Sequence, residues 1–248
     1  MSERPVQDPN AVTVVLAPAC GDPSAAARRI LVRMAAELGV PVPPGAVPRV
    51  AYDAGGRPCL SVADGAVRPV DEAVRGADGA AGGVGEAVRG VDGGALCRVS
   101  ISHCADVVAV ALAAAAVGVD VEAVRPLPFV NLARRWFDPA EAAWLARRPE
   151  EHRQGDFFRL WTAKEALGKA LGVGLRNGGT RRRVPLPRPL GARWTPFPGR
   201  PFALALPECP RGLVLAVATA DPGGAPPPLR LYGSGMGGCR PWSGRGAS

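Results

Sequence analysis

Two short stretches carry ionisable side chains whose spacing could serve chemistry on a phosphate. In VGVDVE, Val117 to Glu122, the carboxylates Asp120 and Glu122 stand two residues apart. Read as a strand, the stretch sends Val117, Val119 and Val121 to one face and Gly118, Asp120 and Glu122 to the other. Carboxylates that close repel, and a cation relieves the cost. Hard oxygen donors suit Mg²⁺, which binds one or two carboxylates, several waters and a substrate phosphate. A solvent-facing edge strand would show the same pattern, so at this point both readings stand open.

The second stretch, WTAKEALGKALG, Trp161 to Gly172, supplies Lys164, Glu165 and Lys169. At about 100° per residue, Phe157, Leu160, Trp161, Ala163, Leu167 and Leu171 cover one broad arc, as an amphipathic helix requires. Lys164 lies inside that arc. Glu165 and Lys169, four apart, sit together beside it with Phe158 and Thr162. One reading lets Lys164 lay its stem over apolar surface while Glu165 and Lys169 form a surface ion pair. The other turns all three toward an internal polar cleft that holds something charged.

His103, one of two histidines, ends the strand-like VSISH. Its neighbour Cys104 cannot serve as its nucleophile partner locally, because adjacent strand residues face opposite sides.

The remaining elements must position these groups. Ala11 to Ala17 reads as a strand, Ser24 to Gly39 as a capped helix ended by glycine, and Arg49 to Leu60 as two short strands around a Gly-Gly turn. From Ala66 to Ala95 the chain is rich in Gly, Ala and Val, and EAVRGADG at Glu72 recurs as EAVRGVDG at Glu86. Two copies are too few for a solenoid and too poor in large apolar groups for a core, which predicts a mobile surface insertion. Cys97 to His103 and Asp106 to Glu122 read as strands, the latter a pair joined by an alanine-rich turn, with a helix through Ala111 to Ala116 as the alternative. Asn131 to Phe137 and Pro139 to Pro149 are predicted helical, and Arg200 to Ala220 a hairpin. After Asp221 come Gly, Pro and Ser with few apolar anchors, which predicts a disordered tail over 221–248.

Bulk properties bound the answer. With 248 residues, 47% of them hydrophobic, the chain can bury a sizeable core, while 32 Gly and 27 Pro imply irregular parts. No apolar run reaches membrane-spanning length, and MSERPVQDPN lacks the features of a signal peptide, so a soluble cytoplasmic protein without membrane contact is expected. The six cysteines contain no C-x-x-C pair, which argues against a zinc site or a disulfide framework. A net charge of +8 and a pI near 9.8 favour polyanionic partners. Nucleic acid is not the expected partner: no helix-turn-helix or zinc finger is recognisable, and aromatics make up only 5%.

SISH, then GVDVE, then WTAKEALGKALG occur in the order and at the separations of one family. In these motifs the chain resembles the 4′-phosphopantetheinyl transferase superfamily, in its Sfp-like branch, over roughly Ser24 to Ala220. The resemblance implies an α+β fold: a pseudo-twofold pair of similar α+β halves with the active site between them. The halves would be 11–117, interrupted by 66–95, and 118–220. It implies that Asp120, Glu122 and Glu165 hold Mg²⁺ against the diphosphate of coenzyme A, and that Glu165 and Lys169 are catalytic. Lys164, Lys169 and His103 would lie on or beside the CoA phosphates. GRP, Gly56 to Pro58, would put Arg57 near the nucleotide, and Arg33 would lie near the 3′-phosphate. The implied reaction moves the phosphopantetheine arm to a serine of an acyl or peptidyl carrier protein and releases 3′,5′-ADP, with the enzyme a monomer. Arg147, Arg148 and Arg181 to Arg183 are candidate contacts for an acidic carrier protein.

Three features depart from the family pattern. The segment before the Arg28 helix is short, so Arg28 and Arg29 would replace N-terminal basic residues. The repeat separates GRP widely from SISH. Cys104 stands where a small residue is usual, which would make the site sensitive to thiol reagents. Because these departures fall on the CoA-binding half, a degenerate homologue that only binds carrier proteins is the alternative.

Overall fold

The computed structural model describes residues 11–19, 21–37, 49–52, 58–61, 97–176, 178–187, 191–210, 212–220, 227–235 and 238–241. In chain order the elements are β1 (Val12–Pro18), α1 (Pro23–Glu37), β2 (Arg49–Tyr52), β3 (Pro58–Ser61), β4 (Cys97–Cys104), β5 (Val107–Ala113) and β6 (Val117–Ala123). Then follow α2 (Phe129–Trp136), α3 (Pro139–Ala146), α4 (Glu150–Leu171), a 3-10 turn (Gly179–Arg181), β7 (Gly191–Pro196), β8 (Phe202–Leu206), β9 (Leu213–Ala220), β10 (Leu229–Gly235) and β11 (Gly238–Pro241). The repeat at 66–95 lies outside the described residues.

The alternation in VTVVLA organises the molecule. Val12, Val14 and Leu16 point to one side of β1, Val15 and Ala17 to the other, and all are buried. A strand apolar on both faces must lie inside, and β1 does: it pairs antiparallel with β5 and parallel with β10 in a seven-stranded sheet ordered β11-β10-β1-β5-β4-β3-β2. Val15, Ala17, Val108 and Val110 meet Ala27, Leu31 and Met34 of α1. On the opposite face, Val12, Val14 and Leu16, with Ala109 and Ala111, meet Val119, Val121, Leu215 and Val217 of a second sheet, ordered β6-β9-β8-β7. The outer face of that sheet, including Leu204 and Ala216, is covered by α2, α3 and α4 through Phe137, Leu145, Phe157 and Leu160. Four layers result: α1, the large sheet, the small sheet, and the three-helix layer. This is an α+β arrangement, and none of its helices is long and apolar enough to cross a membrane among the described residues.

The expected disordered tail needs correction over 227–235 and 238–241; the rest of 221–248 lies outside the described residues. Leu229–Gly235 pairs with β1, and Leu229 and Leu231 pack against the core between the two sheets. The alternation in LRLY is only two apolar positions long, too short to read as a strand alone. It becomes one because β1 offers an unsatisfied edge and an apolar face. The C-terminal segment therefore returns to the sheet built by the first part of the chain.

β6 lies close against α4. A Cβ on Gly118 would stand 1.9 Å from the Ala166 carbonyl oxygen, so the glycine of GVDVE is a packing requirement. α4 ends at Gly172, whose φ of 75° is the left-handed conformation of a helix C-cap.

Candidate active site

Strand alternation turns Gly118, Asp120 and Glu122 of β6 toward α4, while Val119 and Val121 face the inter-sheet core. β6 is an edge strand of its sheet, and its free edge is satisfied by side chains instead of a neighbouring strand. The Val119 N–H donates to Ser100 Oγ at 2.9 Å and the Val121 N–H to Ser102 Oγ at 3.4 Å. Both serines belong to β4 of the other sheet. Lys169 Nζ, from α4, donates to the Val119 carbonyl at 3.1 Å.

Asp120 sits at the junction of these three elements, 5% exposed. Its Oδ1 accepts from Ser102 Oγ at 2.7 Å and from Lys169 Nζ at 2.8 Å. Its Oδ2 is buried without a hydrogen-bond partner among the described residues. Burial pushes the Asp120 carboxyl above its usual range. The charge and hydrogen bond of Lys169 and the hydrogen bond of Ser102 pull the other way, and the Glu122 charge adds to the rise. Glu165 is likewise raised, first by burial and then by Asp120, with Lys169 opposing and Glu122 contributing. The three carboxylates thus sense one another across one space, with one ammonium among them.

This donor set suits a hard divalent cation: three carboxylates at mutual cost, one of them presenting a bare buried oxygen. As they stand, no three His, Cys, Asp or Glu side chains among the described residues are already gathered as a metal cage. Glu122 is turned to Arg125 Nη1 at 2.9 Å, a pair whose arginine is 54% exposed. Such an exposed pair contributes little, so freeing Glu122 costs on the order of 1 kcal/mol or less.

Lys164 is not at this cleft, which corrects the expectation that it meets CoA phosphates. Its side chain is fully buried; Nζ donates to Glu141 Oε2 at 2.5 Å and to the Arg182 carbonyl at 2.6 Å, and lies 5.0 Å from the Phe137 ring centroid. Glu141 also accepts from the Val184 N–H at 2.9 Å through Oε1, and closes a capping box on Asp138 at the start of α3. Burial lowers the Lys164 ammonium's proton affinity, with the Glu141 charge and hydrogen bond opposing. The physical reason for the correction is angular. Lys164 and Glu165 are one helical step apart, so when Glu165 faces β6, Lys164 faces the α3 side.

The other expected contacts are dispersed. His103 is exposed at the end of β4, on the sheet face opposite Ser102. Arg33 is exposed on α1, which lies against β5. Arg57 lies outside the described residues. Among the candidate protein contacts, Arg147, Arg181 and Arg183 are exposed, whereas Arg148 is half-buried and bonded to Asp156 at 2.7 Å. Cys104 has its thiol pushed up to about 11, by burial first and then by Glu122 and Asp120.

Two partners were missed from the sequence. Ser102 sits in SISH beside the histidine, and its alternation with Ser100 was the available signal. Glu141 follows Asp138 by three residues, the spacing of a capping box, and that spacing was legible.

Comparison with known proteins picks out the same region. The model of the 4′-phosphopantetheinyl transferase superfamily matches residues 116–197, from β6 through α4 to the end of β7. The chain is similar to the 4′-phosphopantetheinyl transferase psf-1 of Bacillus pumilus, 37% identical over 79 residues, 32% of this chain and 34% of that protein. It is 45% identical over 60 residues to the 4′-phosphopantetheinyl transferase HetI of Nostoc sp., 24% of this chain and 25% of that one. The corresponding enzyme gsp of Aneurinibacillus migulanus is 33% identical over 76 residues, 31% and 32% of the two chains. The aligned part of the chain spans about a third or less of the curated relatives it matches. The resemblance read from GVDVE and WTAKEALGK is borne out over this segment.

Proposed function

From a chain whose residues 116–197 match the 4′-phosphopantetheinyl transferase superfamily, we infer a transferase that moves the 4′-phosphopantetheine arm of coenzyme A to a serine of an acyl or peptidyl carrier protein. The observation that carries this reading is the bond between Lys169 and Asp120, 49 residues apart in the chain, with Glu165 on the same helix one turn before Lys169 and raised by the Asp120 charge. Those residues lie within the segment that resembles the transferases.

In this reading Asp120, Glu122 and Glu165 would hold Mg²⁺. When bound, it neutralises charge on the CoA diphosphate. Asp120 is held against Lys169 and Ser102 through Oδ1, which leaves Oδ2 without a partner among the described residues. Glu165, at the edge of that cluster, accepts the proton of the attacking serine, directly or through one water. The serine oxygen bonds to the β-phosphorus and 3′,5′-ADP leaves. Lys169 stands where it can follow the diphosphate as charge develops. His103, Arg33 and Arg57 are proposed to border the nucleotide end of CoA. Exposed Arg147, Arg181 and Arg183 are proposed to meet an acidic carrier protein, and the enzyme to act as a cytoplasmic monomer.

A second reading is a binding module that recognises carrier proteins without transfer. Its support is that Lys164 and Lys169, two of the cations expected on phosphates, are both engaged by carboxylates of the chain itself. Intact-mass spectrometry of apo carrier proteins incubated with this protein, CoA and Mg²⁺ separates the readings. A phosphopantetheine mass gain abolished by EDTA supports the transferase; no gain across polyketide, nonribosomal-peptide and fatty-acid carrier proteins leaves the module.

A further inference from the structure

We propose that Ser102 is a positioning residue: its hydroxyl fixes Asp120 so that Oδ2 alone is presented to a divalent cation. The inference rests on the metal reading above and adds to it a residue from the other sheet.

A serine hydroxyl has one proton to give. Because the Val121 N–H points at Ser102 Oγ from β6, that oxygen is the acceptor there, and its own proton is free to go to Asp120 Oδ1 at 2.7 Å. Lys169 Nζ donates to the same Oδ1 at 2.8 Å. Two donors on one oxygen leave the other as the carboxylate's open site, and Oδ2 is buried with no partner among the described residues. A buried, unsatisfied carboxylate oxygen is costly unless something fills its place. Lys169 has a long flexible stem and is partly exposed, so by itself it does not define the carboxylate's rotation. Ser102, 7% exposed on a central strand, does.

Ser100 provides the comparison. It stands on the same face of β4, and its hydroxyl caps the Val119 N–H in the same seam between the sheets. It accepts from the backbone, whereas Ser102 also reaches the carboxylate. Loosening the seam affects both serines alike; orienting the carboxylate belongs to Ser102.

The test is Mn²⁺ binding by the full-length protein, followed through the loss of the free-ion EPR signal, with Mn²⁺ standing in for Mg²⁺. Removing a group that orients a metal ligand typically costs about tenfold to a hundredfold in affinity, and Ser102→Ala is expected to lose that much. Ser102→Cys, close in size but a weak donor, is expected to lose as much and serves if the alanine variant does not fold. Ser100→Ala is expected to bind like the wild type. Wild-type affinity in both Ser102 variants, or an equal loss in Ser100→Ala, overturns the assignment. Absence of Mn²⁺ binding by the wild type overturns it together with the metal site. Binding that follows the expected order without any carrier-protein modification leaves Ser102 in its role and removes the transferase.

Discussion

Lys169 Nζ and Asp120 Oδ1 stand 2.8 Å apart and tie α4 to the edge of β6, with the Val119 carbonyl as a second acceptor. A flexible cation is thereby parked on the buried carboxylate of the proposed site. Lys169→Met is expected to lower kcat/KM for carrier-protein modification about a hundredfold, some 2.7 kcal/mol of transition-state stabilisation. Unchanged kcat/KM would exclude Lys169 from the reaction.

Glu165 is half-buried beside Asp120, Glu122 and Lys169. Glu165→Gln keeps its size and removes its capacity as a base and as an anionic ligand. The expected outcome is a folded protein whose transfer rate is down about a hundredfold or more, roughly 3 kcal/mol. Retained carrier-protein binding in a pull-down with lost transfer would separate the two functions, and retained transfer would remove Glu165 from the proton's path.

Lys164 and Glu141 form a buried pair that joins α4, α3 and the segment at Arg182–Val184. Removing one partner strands the other charge, so Lys164→Met is expected to cost about 3–5 kcal/mol in denaturant unfolding. Combining it with Glu141→Gln is expected to recover part of that loss. The KM for CoA in the surviving folded fraction stays at its wild-type value; a raised KM with unchanged stability would restore Lys164 to the phosphates.

Gly118→Ala places a Cβ against the Ala166 carbonyl, and backbone cannot give way as a side-chain tip can. β6 must move off α4. The expected cost is about 3 kcal/mol, which lowers Tm by roughly 6–12 °C in a domain of this size. Scanning calorimetry with no shift would mean that β6 and α4 are further apart than described.

Cys104 was expected to make the site sensitive to thiol reagents, and its surroundings argue the other way. Burial first, and then the Glu122 and Asp120 charges, push the thiol up to about 11, and only the thiolate reacts. Since the charged form is the disfavoured one, reactivity rises as pH rises toward that value. At pH 8 iodoacetamide is expected to label Cys104 on the order of a hundredfold more slowly than an unperturbed thiol. Peptide mapping across pH 7 to 10 measures this, and rapid labelling at pH 7 would contradict the burial and the neighbouring carboxylates.

What could be read without coordinates follows from short-range periodicity. The two-residue alternation in VGVDVE and in VTVVLA, and the helical arc around Leu160 and Leu167, are properties of neighbours in the chain. They placed Asp120, Glu122, Glu165 and Lys169 on the faces where the structure has them, and motif order carried the family resemblance. Which side of the helix Lys164 would meet is a different kind of fact. It depends on Glu141, a residue 23 positions away, whose placement follows from how α3 docks. The strand at Leu229 is likewise decided by β1, more than two hundred residues earlier in the chain, since two alternating leucines bury too little surface to order themselves. Ser102 meets Asp120 only because the two sheets pack face to face across their valines. A side chain's face is set by its own backbone, but its partner is set by whichever distant element the packing of apolar surfaces brings opposite it.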